Sequence, residues 1–295
     1  MVEQKRDIKL IAIDVDGTLL NNKLEMSPRV EAALLAAIEQ GVHVVLATGK
    51  TRNAVQAYIK KLDLNEAGIF VQGLMVYDAE GKTLHSQTLE PRIARQVITM
   101  AEDRGFQMLA YSGSRILVKA HNRFLEESVT KYQEMPPEAV GALQNILYDT
   151  PVNKLIAVGD PHAIKGLRWQ LKALVGGAAK LTQAAVPEHL EILPPSGSKG
   201  AALKVVCKHY KISPDNVLAI GDAENDIEMI QFAGLGVAMG NGAQIVKDAA
   251  KVTVASNDED GLAEAIEKYV LKAKPAPVAE KSAVTDDGEK KETGS

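Results

Sequence analysis

The sequence predicts an α/β fold: a doubly wound parallel sheet interrupted by an inserted α+β domain. Three observations carry this. The run Leu10–Ile13 is apolar throughout and ends in Asp14-Val15-Asp16-Gly17, as expected of a parallel strand covered on both faces. Strand-like and helix-like segments then alternate to about residue 71, which favours parallel pairing with right-handed crossovers. The same alternation resumes near residue 198, after a stretch of hairpins and helices with a different texture.

In order, Ser27-Pro28 opens a helix, since Ser is a good N-cap and Pro suits the first turn. Gly41 ends it, and residues 42–47 read as a second buried strand leading to Thr48-Gly49-Lys50-Thr51-Arg52. A helix to about Leu62 and a third strand at residues 68–71 follow. Strand-like pieces near Val76, Leu84 and Leu89 come next, then a helix from Pro91 and a hairpin across Ser112-Gly113-Ser114. Helices are expected at residues 122–131, 137–147 and 162–175, and strands at 154–158, 179–183 and 190–193. The returning pattern places a helix after Ser198-Lys199-Gly200 and a strand at 217–220 running into Gly221-Asp222. Further helix and strand segments reach about Leu271. This divides the chain into a core (1–81 plus 191–272), an inserted domain (82–190) and a tail (273–295). The tail is rich in Lys, Glu, Asp, Pro and Ala and lacks aromatics, a composition expected to remain disordered.

With 295 residues and 46% hydrophobic content, the chain can bury a large core or two. A net charge of −4 argues against a nucleic-acid-binding face. No apolar run approaches the roughly 20 residues of a membrane span. Cys207 is the single cysteine, which excludes an intrachain disulfide and fits a reducing compartment. The expected location is cytoplasmic, with an organelle such as the plastid stroma, after transit-peptide removal, as the alternative. Cys207 and Trp169 are expected to be packing residues. Gly234, Gly236, Gly240 and Gly242 flank a late strand, not the first strand–helix turn, so dinucleotide binding is set aside. The six histidines show no metal-binding spacing.

Four clusters stand at comparable places, beyond strands or at a helix start: DVDGT (Asp14, Asp16), ATGK (Thr48, Gly49, Lys50), SKG (Lys199) and GDAEND (Asp222, Asn225, Asp226). In a doubly wound sheet all four converge on one edge. In this order and spacing they resemble the haloacid dehalogenase-like (HAD) hydrolase superfamily, and the insertion is similar to the large α/β cap of its Cof-type phosphatase branch. The resemblance covers about residues 9–271 and implies a Rossmann-like core. Two positions depart from the pattern: Lys50 stands where Arg is common, and Gln72-Gly73 where Asn-Gly is usual.

The resemblance implies a phosphoric monoester hydrolase with Asp14 as nucleophile and Mg²⁺ ligand. Asp222 would be the second protein carboxylate on the metal, and the Asp16 backbone carbonyl a further ligand. The Asp16 side chain would be the general acid and base. The chemistry is coherent: a divalent cation reduces repulsion between an attacking carboxylate and an anionic ester. Thr48 and the Gly49 amide would hold phosphoryl oxygens, and Lys199 would neutralise the phosphoryl group and position Asp14. Asn225 and Asp226 stand beside the metal; for Asp226, direct ligation and positioning of Lys199 or metal waters are both open. Lys50 and Arg52 are candidate phosphate or sugar contacts. In the cap, His189 with Glu188, and residues 115–119, are candidate substrate contacts. The expected partner is a small-molecule phosphate ester, with a sugar phosphate first and a flavin, pyridoxal or nucleotide monophosphate second. A phosphomutase, or a regulator that binds a phosphometabolite without turnover, are the other readings. The chain is expected to act as a monomer or homodimer.

Overall fold

The computed structural model describes residues 7–131, 133–183 and 187–271; the tail expected to be disordered lies outside them. Strand β1 (Leu10–Ile13) leads to helix α1 (Pro28–Glu39), β2 (His43–Leu46) and α2 (Gln56–Lys61). An antiparallel trio follows: β3 (Gly68–Phe70), β4 (Met75–Tyr77) and β5 (Thr83–Ser86). The inserted segment contains α3 (Pro91–Glu102), β6 (Gln107–Ser112), β7 (Arg115–Val118), α4 (Arg123–Lys131), β8 (Glu138–Ala139), β9 (Lys154–Val158), α5 (Pro161–Val175), β10 (Lys180–Gln183) and β11 (His189–Leu193). The chain returns through α6 (Lys199–Tyr210), β12 (Val217–Gly221), α7 (Ile227–Phe232), β13 (Leu235–Ala238), α8 (Gln244–Ala249), β14 (Val252–Thr253) and α9 (Gly261–Tyr269).

The first sheet is parallel throughout, in the order β14-β13-β12-β1-β2. β1 sits inside it, with Leu10 opposite both His43 and Val217. Its side chains alternate between two apolar layers. Ile11 and Ile13 share one with Leu34 of α1 and Ile266 of α9; Leu10 and Ala12 share the other with Leu203 of α6 and Met229 of α7. Helices therefore cover both faces, and the sheet is doubly wound. Leu10, Ile11 and Ile13 have no exposed surface, and burying each contributes about 1.5–3 kcal/mol. At the start of α1, Ser27 Oγ accepts from the Val30 amide at 3.2 Å and Pro28 occupies the first turn, as its sequence predicts.

The second large sheet has the order β10-β11-β9-β6-β7-β8 and is antiparallel except for β7 and β8. One face packs on α3 and α5, through residues such as Val97 and Leu167. On the other, Leu109, Tyr111, Ile156 and Val158 join Leu125 and Val129 of α4 in the apolar cluster that also contains Ile11 and Ile13.

Four expectations are corrected. Residues 137–147 are not a helix: Glu138–Ala139 pair with Leu117–Val118, and only a single 3₁₀ turn forms at Leu143–Asn145. Pro136-Pro137 and Gly141, at φ 76°, interrupt helical geometry there. The third strand joins the parallel sheet through one bridge, Ala47 to Ile69, and otherwise pairs antiparallel with β4. Trp169 is 76% exposed, because α5 buries Ile164, Leu167, Leu171 and Val175 and Trp169 lies on the other face. Cuts at 81/82 and 190/191 fall short of the sheet boundaries: β5 pairs with β4, and β11 belongs to the second sheet.

Candidate active site

The register of the parallel sheet builds the site. Ile13 lies opposite Ile220, and the Asp14 amide donates to Ile220 O at 3.1 Å. Asp14 and Asp222 thus emerge from the ends of adjacent strands despite their distance in sequence. Gly17, at φ 81°, folds the loop after β1 beneath Asp222; a Cβ there would lie 2.4 Å from Asp222 Oδ2. Thr18 Oγ1 donates to Asp222 Oδ1 at 3.4 Å, and Asn241 Nδ2 to Asp222 Oδ2 at 3.3 Å and to Gly17 O at 2.9 Å.

Lys199 is the first residue of α6, whose N-cap Ser198 accepts from the Ala201 amide. Its side chain is 1% exposed, and its ammonium donates to Asp14 Oδ1 at 2.5 Å and to Asp226 Oδ1 at 2.7 Å. The other Asp226 oxygen accepts from the amides of Asp222 and Ala223 at 3.1 and 3.0 Å. Carboxylate oxygens of Asp14, Asp222 and Asp226 lie within 4.8 Å of one another.

Three carboxylates face one ammonium, and the proton affinities follow. Burial first, then the Asp226 charge, push the Asp14 carboxyl well above the usual carboxylate range against the pull of Lys199. Burial and Asp226 raise Asp222 to about 6. Burial opposes the charge on Lys199, but Asp14 and Asp226 outweigh it and hold the ammonium more firmly than usual. Clustered oxygen donors with unbalanced negative charge are the donor set a hard divalent cation such as Mg²⁺ takes. The residues present therefore fit that ion.

The remaining expected residues divide. Thr48 is fully buried, and its Oγ1 accepts from the Lys50 amide at 3.1 Å. Asp16 is about half exposed and receives the Lys50 ammonium at 2.7 Å. A cavity between the two large sheets is lined by Asp16, Gly49 and Lys50 from one side and Lys154, His189 and Glu191 from the other. Arg52 does not reach it. Its guanidinium donates instead to Ala79 O at 3.4 Å. Arg115 is paired with Glu138 at 2.6 Å and Lys119 faces Glu102 at 4.0 Å, and neither lines the cavity. Asn225 Nδ2 donates to Gln72 Oε1 at 2.8 Å.

Lys154, Glu191 and Asn241 were not anticipated. Lys154 and Glu191 form a 3.0 Å ion pair, with side chains 3% and 5% exposed, and the Lys154 ammonium stands 4.3 Å from the centre of the Tyr111 ring. A charged residue in each of the mainly apolar strands KLIAV and HLEIL was the available signal, since buried charges require partners.

A family model described as haloacid dehalogenase-like hydrolase matches residues 11–266. The chain belongs to that family. This HAD-like hydrolase is 31% identical over 278 residues to Phosphatase YwpJ from Bacillus subtilis, covering 87% of this chain and 98% of that protein. It is 35% identical over 277 residues to a chloroplastic endoribonuclease YBEY of Arabidopsis thaliana. That match covers 90% of this chain, which spans only 47% of the relative's length. The crystal structure of a haloacid dehalogenase-like hydrolase from Bacteroides thetaiotaomicron is similar with a TM-score of 0.80 and 30% identity, over 88% of this chain and 98% of that one. Relatives of near-equal length, Phosphatase YwpJ among them, are named as phosphatases, and the chain shares their family. Among its described residues, no helix is long and apolar enough to cross a membrane.

Proposed function

We propose that the chain is a Mg²⁺-dependent phosphatase of a small phosphorylated metabolite, a sugar phosphate before other classes, acting through an aspartyl-phosphate on Asp14. The observation that carries this reading is the pairing of Lys199 with both Asp14 and Asp226 at the mouth of the parallel sheet, with Asp222 alongside. Asp14 and Asp222, with the Asp16 carbonyl, would hold the ion; its charge would offset the repulsion between Asp14 and the phosphoryl oxygens.

An Asp14 oxygen attacks phosphorus, and the bond from phosphorus to the ester oxygen breaks. Asp16 gives its proton to the departing oxygen. A water then attacks the same phosphorus, Asp16 takes the water's proton, and the bond to Asp14 breaks to release inorganic phosphate. Lys50 donates to Asp16 Oδ1 at 2.7 Å, which ties the Asp16 side chain to the loop after β2. Lys199 holds Asp14 in line and balances charge on the phosphoryl group. Asp226, with one oxygen on Lys199 and the other on two amides, is suited to positioning that ammonium. Thr48 and the Gly49 amide would bind phosphoryl oxygens. The second large sheet, with α3, α4 and α5, would act as a cap that excludes water and selects the leaving group, with His189 in its wall.

Phosphate release from a panel of phosphorylated sugars, flavin, pyridoxal and nucleotide monophosphates, with and without Mg²⁺, tests this. Release should require Mg²⁺ and be fastest for a sugar phosphate. Absence of release from every ester would overturn the reading.

A further inference from the structure

Val71, Gln72 and Gly73 all take positive φ, at 51°, 62° and 86°. Such a conformation is an outlier for a β-branched residue like Val71, and it persists only where the surroundings enforce it. The segment is pressed against the start of α6: a Cβ on Gly73 would lie 2.2 Å from Ser198 O. This turn between β3 and β4 carries the Gln72 side chain to a position between the inserted sheet and the acidic cluster.

Both ends of the Gln72 amide are used. Nε2 donates to Glu191 Oε2 at 3.1 Å, and Oε1 accepts from Asn225 Nδ2 at 2.8 Å. Glu191 Oε1 accepts from Lys154 Nζ at 3.0 Å, and that ammonium also donates to Gly49 O at 3.2 Å. A connected path therefore runs from β9 and β11 through Gln72 to Asn225, next to Asp226. Its polarity is fixed at one end. An ionised carboxylate only accepts, so Glu191 compels Gln72 to present Nε2. Gln72 then offers only an oxygen to Asn225, which must answer with its Nδ2. The other atom, Asn225 Oδ1, is buried without a hydrogen-bond partner. The charge on Glu191 thus determines that an acceptor, not a donor, is left available at Asn225.

We propose that Gln72 is a positioning residue, which transmits the seating of the inserted sheet at Glu191 to the orientation of the Asn225 amide beside the acidic cluster. The consequence for catalysis rests on the phosphatase reading above. Asparagine is one methylene shorter and tolerates positive φ, so Gln72→Asn keeps the turn but cannot span both partners.

The test combines Gln72→Asn, Glu191→Gln and the double variant, with p-nitrophenyl phosphate and Mg²⁺ as the probe. Hydrogen exchange of residues 222–226 and 188–193 is followed in parallel without substrate. Gln72→Asn should lower kcat about tenfold with KM within threefold. Glu191→Gln should do the same, and the double variant should be no worse than the worse single one. Exchange at 222–226 should quicken in both single variants, including Glu191→Gln, whose substitution lies in a different sheet. Multiplicative losses in the double variant, or unchanged exchange at 222–226, would overturn the proposal. If the wild type releases no phosphate, the phosphatase reading fails, while the exchange measurement still decides the role of Gln72.

Discussion

The Lys50 ammonium lies 2.7 Å from Asp16 Oδ1, joining the loops that follow β1 and β2. Lys50 is largely buried while Asp16 is about half exposed, so the pair contributes at most about 1 kcal/mol to stability. Lys50→Met should shift Tm by no more than a few degrees. It removes a cation from the cavity wall, so KM for p-nitrophenyl phosphate should rise at least about fivefold with kcat within threefold. A loss confined to kcat would instead assign Lys50 to bond breaking.

Asp14→Asn removes one of three carboxylates around a single ammonium while keeping the side chain's shape. Turnover should fall to background. In chelator-treated protein the melting temperature should rise, because a buried and repelled charge is gone. Activity within about tenfold of wild type, a barrier change of only about 1.4 kcal/mol, would remove Asp14 from the nucleophile's role.

Lys199→Met acts in the opposite sense. It leaves Asp14 and Asp226 buried without their shared cation, a loss of about 3–5 kcal/mol for a broken buried pair. Chemical denaturation in chelator should report that drop, and added Mg²⁺ should recover part of it by binding the acidic cluster. No recovery by Mg²⁺ would count against an ion at this cluster.

Gly17→Ala places a methyl 2.4 Å from Asp222 Oδ2 at a φ of 81°. Asp222 must then move. The expected result is a loss of about 1–2 kcal/mol in stability together with at least tenfold weaker Mg²⁺ dependence of activity. Unaltered Mg²⁺ dependence would show that Asp222 has room to retreat without cost.

Burial, with Lys154 nearby, depresses His189 from its ordinary 6.5 to about 4, despite the opposing pull of Glu191. The unfolded chain therefore binds a proton between pH 6.5 and 4 that the folded chain refuses. Stability is complete above pH 6.5 and falls as pH drops through that window, by roughly 2–3 kcal/mol from this group. Denaturation of wild type and His189→Gln at pH 7.5 and pH 4.5 should show a smaller fall in the variant. Equal falls would mean the imidazole titrates normally.

Much of the parallel sheet was legible because its signals are local. An apolar run broken by DVDG, a Ser-Pro helix start and a glycine stop each report on their own neighbourhood. The motif residues Asp14, Lys199, Asp222 and Asp226 were legible for the same reason. What escaped depends on partners remote in sequence. Residues 137–147 contain enough apolar side chains for a helix, yet they serve as an edge for β7, a pairing no local pattern declares. Lys154 and Glu191 lie 37 positions apart and meet only because β9 and β11 are neighbours. Arg52 follows the Thr48 motif closely in sequence, but its guanidinium bonds Ala79 O, 27 positions away, and does not line the cavity.

The central position of β1 has a consequence for synthesis. Its partner on one side, β2, leaves the ribosome almost at once, whereas Val217, the partner of Leu10 on the other, is made 207 residues later. At about 5–20 residues per second that interval lasts on the order of 10–40 s. Throughout it the nascent chain exposes an unpaired strand edge with the sequence LIAI, a template for association with other chains. Translation that stalls before β12 would therefore yield an aggregation-prone fragment, and one lacking Asp222 and Asp226.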